Sequence, residues 1–316
     1  MSRNFSVPPA ITVHLLREGI IESCHEVEAV LCDRRGRIRM AAGMPDSSAF
    51  IRSALKPFQA LAIVGTGTLE AYGLSDRDLA ICCASHDGSI PQARQAFHIL
   101  WRSGVETSAL RCPTPSDQLS PLNHNCSGKH AGMLAVCQQC NWSTREYMDP
   151  KHPVQQLILK KIAECLGLPP AELIGARDDC GVPTYYMQIR QMAALYAHLS
   201  GGDRLDMERI TRAMTHYPEL VAGEGQFDTE LMRLTEGTLV SKSGAEGVQC
   251  LGQLGQGLGL AIKVKDGAKR AKYAVAIRLL QQLGWIQPAI AQQLAEQFLS
   301  LSSVKRLEVV GDLAMV

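Results

Sequence analysis

LVSKSG (239–244), GVQCLG (247–252) and GLAIKVKDG (259–267) are three short apolar runs, each bounded by glycine. Runs of this length and punctuation read as consecutive strands. Two further runs near the start, ITVHLLREG (11–19) and EVEAVLCD (26–33), read the same way. The second leads into RRGRIRMAAG, where Arg35-Gly36 turns a hairpin, so an antiparallel sheet opens the chain. Between the two strand groups the pattern is helical. Ser53–Gly65 has helical composition, with Pro57 early enough to be tolerated in a first turn. More helices are expected at about 76–84, 90–103, 128–139, 153–166, 185–199, 205–216, 269–283 and 287–298. HPVQQLILKKIAECLG carries the clearest 3.6-residue period, and Gly167 stops it.

The order is therefore strands, a mostly helical middle, strands, then C-terminal helices. If both strand groups join one sheet, the helical middle is an insertion beside it. The expected fold class is α+β, or mixed α/β, with an antiparallel sheet, flanking helices and a mostly helical inserted region. No repeat, low-complexity tract or Pro/Gly/Ser linker marks a boundary. A single domain over 1–316 is expected, its α/β part at about 1–75 and 220–316 and its helical part at about 76–219.

Bulk properties narrow the function. Hydrophobic residues make up 46% and charged residues 20% of 316, an ordinary globular balance. A net charge of +1, with both signs interspersed, makes no electrostatic case for nucleic acid or a membrane surface. The N-terminal MSRNFSVPPAITVHLL lacks the pattern of an export signal, and no apolar run is long enough to span a bilayer. A cytoplasmic protein is expected. Its eleven cysteines, scattered without a framework spacing, then read as reduced thiols.

Five segments carry chemistry. In Arg52-Ser53-Ala54-Leu55-Lys56-Pro57, Ser53 and Lys56 stand three apart at a helix start, on one face. A serine hydroxyl becomes a nucleophile when a desolvated, neutral lysine takes its proton, and S-x-x-K follows this logic in β-lactamases and penicillin-binding proteins. Lys242-Ser243-Gly244 matches the partner element of those enzymes, on a late strand. In Cys83-Ala84-Ser85-His86-Asp87-Gly88 a second serine is placed to relay a proton, whereas the adjacent Ser-His-Asp cannot fold back into a triad. Asn123-His124-Asn125-Cys126-Ser127-Gly128-Lys129-His130 crowds polar groups at a helix entry without an amphipathic pattern, as a cleft would. In Asp178-Asp179-Cys180-Gly181-Val182-Pro183 two carboxylates flank a thiol. Cys126 and Cys180 together could hold a soft cation such as zinc, or be unrelated thiols. Cys137-x-x-Cys140 has no second Cys/His pair and reads as helix packing.

Taken together, RSALKPFQA (52–60), CASHDG (83–88), HNCSGKHAGMLA (124–135), DDCGVPTYYM (178–187) and KSGAEGV (242–248) resemble the rhizobial-type (class 3) L-asparaginases. That family is similar in fold to serine β-lactamases and serine glutaminases. The resemblance implies hydrolysis of L-asparagine through an acyl-enzyme, with Ser53 as nucleophile and Lys56 as base. It implies a second Ser–Lys pair of Ser85 and a late-strand lysine, Lys242 or Lys263, of which Lys242 fits the Lys-Ser-Gly element. It further implies zinc on Cys126, Lys129 and Cys180, modulating rather than essential, and a homodimer. Arg52 corresponds to a binder of the substrate carboxylate, and Asp178, His86 and Asn125 to polar groups of the same pocket. Two departures are visible: Asp179 stands where the family usually has glycine, and the chain is shorter between motifs. The alternatives are a serine glutaminase or β-lactamase-like amidohydrolase, and a non-enzymatic zinc-binding protein.

Overall fold

In the computed structural model, residues 7–116 and 118–316 are described. The first six residues, part of the segment read as lacking an export signal, lie outside them. The strands are β1 (Ile11–Arg17), β2 (Ile20–Asp33), β3 (Ile38–Ala42), β4 (Ser48–Phe50), β5 (Ile174–Arg177), β6 (Pro183–Gln188), β7 (Leu239–Ser243), β8 (Val248–Gln253), β9 (Leu258–Val264), β10 (Ser300–Ser302), β11 (Lys305–Val310) and β12 (Ala314–Met315). Two compact units divide the chain. One holds the described residues up to Ala54, with Met187–Gly202 and Glu230–Val316; the other holds Leu55–Tyr186 and Asp203–Thr229. The fold is mixed α/β with an antiparallel sheet.

In the first unit β2 is the organising strand. Val27 pairs with Ile11 of β1 on one edge and with Val264 of β9 on the other. Ala29 likewise pairs with Ala42 of β3 and Ile262 of β9. The 14 residues of β2 are thus long enough to carry β1 and then β3 along the same edge. The sheet runs β10-β11-β1-β2-β9-β8-β7, with β12 on β3, and the two strand groups of the sequence meet at β2–β9. Val27–Cys32 is buried at every position, so both faces of the sheet are covered there. Strands β10–β12, absent from the sequence reading, follow the last helix. β11 pairs with β1, and its KRLEVV alternates polar and apolar residues too weakly to be recognised alone.

The helix Ile189–Leu199 lies on β2, β8 and β9, and two glycines set how close it comes. Gly252 and Gly259 are a cross-strand pair. A Cβ on Gly259 would lie 2.1 Å from the Ala193 carbonyl oxygen, and one on Gly252 would lie 2.9 Å from that of Tyr196. In this notch the Tyr196 hydroxyl donates to the Ala54 carbonyl at 2.8 Å, next to Ser53. The helix begins at Ile189 rather than at the expected 185 because Tyr185–Gln188 belong to β6.

In the second unit the helix Ser127–Gln139 is buried on all sides from Ser127 to Cys137. A helix enclosed in this way has no need of an amphipathic stripe, which is why its sequence shows none. Its glycines admit the helix Asp76–Cys82. A Cβ on Gly128 would stand 2.1 Å from the Ile81 carbonyl oxygen, and one on Gly132 would stand 2.7 Å from Cys82 Sγ. The helix Pro153–Leu166 and the hairpin β5–β6 complete the surroundings of the 124–135 segment.

Adding a methyl group at either contact forces backbone apart in a packed interior, which typically costs ~1–3 kcal/mol. Gly259→Ala and Gly128→Ala are each expected to lower stability by at least that much, read from urea unfolding midpoints.

Candidate active site

Ser53 and Arg52 are half-buried in a 3-10 turn, Arg52–Leu55, that runs into a short helix, Lys56–Gln59, with Pro57 in its first turn. Arg52 has φ +53°, a left-handed conformation that a non-glycine residue keeps only when its surroundings impose it. In the same unit the Lys-Ser-Gly element comes close: a Cβ on Gly244 would lie 2.8 Å from the Ile51 carbonyl oxygen. Lys272, buried in the helix Lys269–Gln282, donates to the Gly244 carbonyl at 2.8 Å and holds this turn. Lys242 is fully buried on β7 and donates to the Ser243 carbonyl at 2.9 Å. Its neighbours Ser241 and Ser243, on the opposite face of the strand, are bridged by the Gln249 amide. Lys263 is half-exposed on β9 and donates to the Glu246 carbonyl at 2.7 Å.

In the second unit Lys56 is fully buried. Its amine donates to the Ala84 carbonyl, reaches Ser85 Oγ at 3.0 Å and donates to the Asn125 carbonyl at 3.2 Å. Among the described residues no carboxylate pairs with it. Burial lowers its pKa and outweighs the Cys126 sulfur, which raises it; the Lys129 charge acts with burial. A carbonyl oxygen can only accept, so the two carbonyls occupy two N–H groups. Ser85 itself is anchored through its backbone N–H to the Val221 carbonyl at 2.8 Å.

His86 takes a supporting place. Its Nδ1 accepts from the Gly88 N–H at 3.1 Å, which puts the proton on Nε2, donated to Ser127 Oγ at 2.9 Å. Ser127 in turn donates to the Leu122 carbonyl at 2.8 Å. Burial, followed by the nearby Lys56 charge, lowers the His86 pKa to about 3. Asn125 contributes its carbonyl to Lys56 and to the His86 N–H while its side chain is exposed.

Cys126 caps the N-terminal end of the central helix, and Lys129 lies one turn on. Lys129 Nζ approaches Cys180 Sγ at 3.1 Å. A hydrogen bond from the Cys180 thiol, helped by the Lys129 charge and opposed by burial, drops the Cys126 pKa well below that of an ordinary thiol. The Cys180 thiol is pushed up, first by that same bond and then by burial. Burial opposes the Lys129 charge, but Cys126, Cys180 and Asp178 outweigh it and raise its pKa. Asp178 closes the Cys180 loop through its backbone N–H to the Val182 carbonyl at 2.9 Å and accepts the Asp179 N–H at 2.9 Å. Among the described residues no group of three His, Cys, Asp or Glu side chains could hold a metal. The Cys126–Lys129–Cys180 set includes an amine and is of a different kind. Cys137 and Cys140 are free, in the helix body and at its C-cap.

The structure thus groups Lys56, Ser85, His86, Asn125, Cys126, Lys129, Asp178 and Cys180 in one unit and Arg52, Ser53 and Lys242 in the other. Sequence reasoning missed Tyr196, the Ala84 and Asn125 carbonyls and Lys272. Backbone carbonyls leave no mark in a sequence, and a buried tyrosine or helical lysine looks like any other.

The profile of the family described as L-asparaginase II matches residues 13–315. The chain belongs to the L-asparaginase II family. It is thereby a member of an amidohydrolase family. No match was found among curated proteins. Among solved structures, a crystal structure of Mglu aligns at TM-score 0.50 and 16% identity, over 82% of this chain and 67% of that one. Mglu in its tris and glutamate form aligns at 0.50 and 16%, over 82% and 59%. This chain thus spans about two thirds or less of the Mglu chains it matches, and at such identity the likeness speaks for the fold alone. A β-lactamase from Mycobacterium bovis aligns at 0.46 and 14%, over 86% and 95%, too low to carry weight. No helix is long and apolar enough to cross a membrane among the described residues.

Two buried histidines give the family member an acid-sensitive core. His86 and His130 both have lowered pKa values, in each case chiefly through burial. The unfolded chain then binds protons below about pH 6.5 that the folded chain refuses, so stability is full above that pH and falls below it. The expected slope is about 1.4 kcal/mol per pH unit per histidine. Denaturant titrations at pH 7 and pH 5 measure it, and His86→Gln should roughly halve it.

Proposed function

We propose that this chain is an L-asparaginase with Ser53 as nucleophile, and that its two units act as one asparaginase domain. The observation that carries the reading is Lys56, a buried amine with a lowered pKa, held by two carbonyls and facing Ser85. Ordinary structural lysines keep their charge at the surface; one set up to be neutral is a proton acceptor. Ser53 lies three residues before it along one turn, preceded by the left-handed Arg52.

In this mechanism neutral Lys56 takes the proton of Ser53 as its Oγ attacks the side-chain amide carbon of L-asparagine. Backbone N–H groups at the turn receive the oxyanion. The tetrahedral adduct collapses, breaking the C–N bond, and ammonia leaves with a proton passed through Ser85 and Lys242. Water, deprotonated by the same lysines, then hydrolyses the acyl-enzyme to L-aspartate. The burial of Lys242 supports it as the second lysine over the half-exposed Lys263. Arg52 would bind the substrate carboxylate, with Asp178 and Asn125 in the same pocket. His86 would serve that pocket by holding its loop, since both ring nitrogens are engaged.

Two sulfurs and an amine that already meet at hydrogen-bond distance fit a soft cation. Cys126, Lys129 and Cys180 would hold zinc, and zinc there would help orient the substrate. Lys129 and Cys180 must each lose a proton to ligate, so zinc affinity should fall as pH drops. A homodimer in the cytoplasm, where the eleven free cysteines stay reduced, completes the reading.

Ammonia release from L-asparagine and from L-glutamine, and the colour change on ring opening of a chromogenic β-lactam, with and without zinc, test it. L-glutamine is included because Mglu has been crystallised in a glutamate form. Asparagine is expected to be the preferred substrate. Ser53→Ala should lose several powers of ten in rate, because a nucleophile is irreplaceable; a variant keeping about a tenth of wild-type activity would overturn the assignment. Activity should also fall as pH drops and Lys56 gains a proton, a limb lying below the ordinary lysine range. Lys56→Met should remove that limb along with nearly all activity. Chelation should raise KM more than it lowers kcat, and unchanged kinetics after complete chelation would rule zinc out.

A further inference from the structure

Cys180 rides on the tip of the β5–β6 hairpin, in a loop closed by the Asp178 and Val182 backbone and by Gly181 N–H to the Asp178 carbonyl at 2.8 Å. Gly175 pairs with Tyr185 and Arg177 with Pro183, so these four residues share one face of the hairpin. Against that face lies a cavity of about 480 Å3, whose far wall includes Met148, Leu159 and Leu173. It lies wholly within the second unit.

Three observations give the cavity a chemistry. Tyr185 is only 4% exposed as a residue and lines this cavity, and its hydroxyl makes no hydrogen bond among the described residues, which leaves it available to a ligand. Burial raises its pKa to about 12, so it remains a donor. Arg177, an exposed residue of β5, also lines the cavity and forms no ion pair among the described residues. Gly175, having no side chain, leaves the floor between them open. The lining contains no carboxylate to receive an ammonium group, so a zwitterionic amino acid is not matched.

We infer that this cavity binds a small monocarboxylate with an apolar body, and that the bound ligand stiffens the Cys180 loop. The carboxylate would meet the Arg177 fork and the Tyr185 hydroxyl, and the apolar body would meet Met148, Leu159 and Leu173. The link to the loop is steric. Gly181, with φ +97°, approaches Met148 so closely that a Cβ on it would lie 2.8 Å from the sulfur. The consequence for catalysis rests on the place given to Cys180 above.

Calorimetric titration with phenylacetate and with its uncharged counterpart 2-phenylethanol tests the binding. One site per chain is expected for the acid, with far weaker binding of the alcohol. Arg177→Met should weaken the acid roughly tenfold or more, as loss of a charge-assisted bond does; Tyr185→Phe should weaken it less. No binding of the acid at millimolar concentration, equal binding of acid and alcohol, or unchanged affinity in Arg177→Met would each overturn the site. Hydrogen exchange at residues 178–182 should slow with phenylacetate in the wild type and not in Arg177→Met, and unaltered exchange would overturn the stiffening. In the ammonia assay the same ligand should change KM for asparagine. Neither calorimetry nor exchange needs turnover, so an inactive enzyme would count against the proposed function while leaving the cavity to its own test.

Discussion

Burying an amine without a carboxylate is the constraint on which the rest of this structure turns. A lysine charge removed from water is costly, and proteins normally avoid the cost with an ion pair or by leaving the head group at the surface. Lys56 does neither. Its surroundings offer two carbonyls, a hydroxyl and the Cys126 sulfur, and burial outweighs the pull of that sulfur so that the pKa is lowered. The Lys129 charge acts in the same direction as burial, against the larger opposing effect of Cys126. The same surroundings explain why His86 is neutral and why its tautomer is fixed by Gly88 and Ser127.

Close by, the opposite solution is used. Cys126, at the N-terminal end of a helix, takes a hydrogen bond from Cys180 that lowers its pKa, and it is the largest influence raising that of Lys129. Two lysines in one unit are thus shifted in opposite directions: burial dominates at Lys56, whereas at Lys129 the sulfurs of Cys126 and Cys180 and Asp178 outweigh it. Acid–base roles are separated by environment rather than by residue type. The close contacts that make this possible are made by glycine. Gly128 and Gly132 let the helix preceding Ala84 and Ser85 settle against the central helix. In the other unit Gly252 and Gly259 admit the helix that carries Tyr196 to the turn of Ser53.

Much of the secondary structure was legible because its periodicity is strong and its ends are punctuated. The helices at 153–166 and 205–216 and the strands of residues 239–264 lie where the pattern puts them. The hairpin β5–β6 was not legible: IGAR is exposed throughout and shows no alternation, and the tyrosines after it were absorbed into the following helix. The C-terminal strands were missed for a similar reason, being short, polar and stabilised by the partner strand rather than by a buried face of their own.

The sequence by itself determined the strand–helix–strand order, the antiparallel sheet and the set of residues with reactive side chains, because these depend on local periodicity and on residue type. What only the tertiary structure decided is the state those residues are in. That Lys56 meets the Ala84 and Asn125 carbonyls, that Cys126 lies beside Cys180, and that His86 has no free nitrogen all depend on groups far apart in the chain. Burial and the distance to a neighbouring charge set a pKa, and neither quantity exists until the chain has folded.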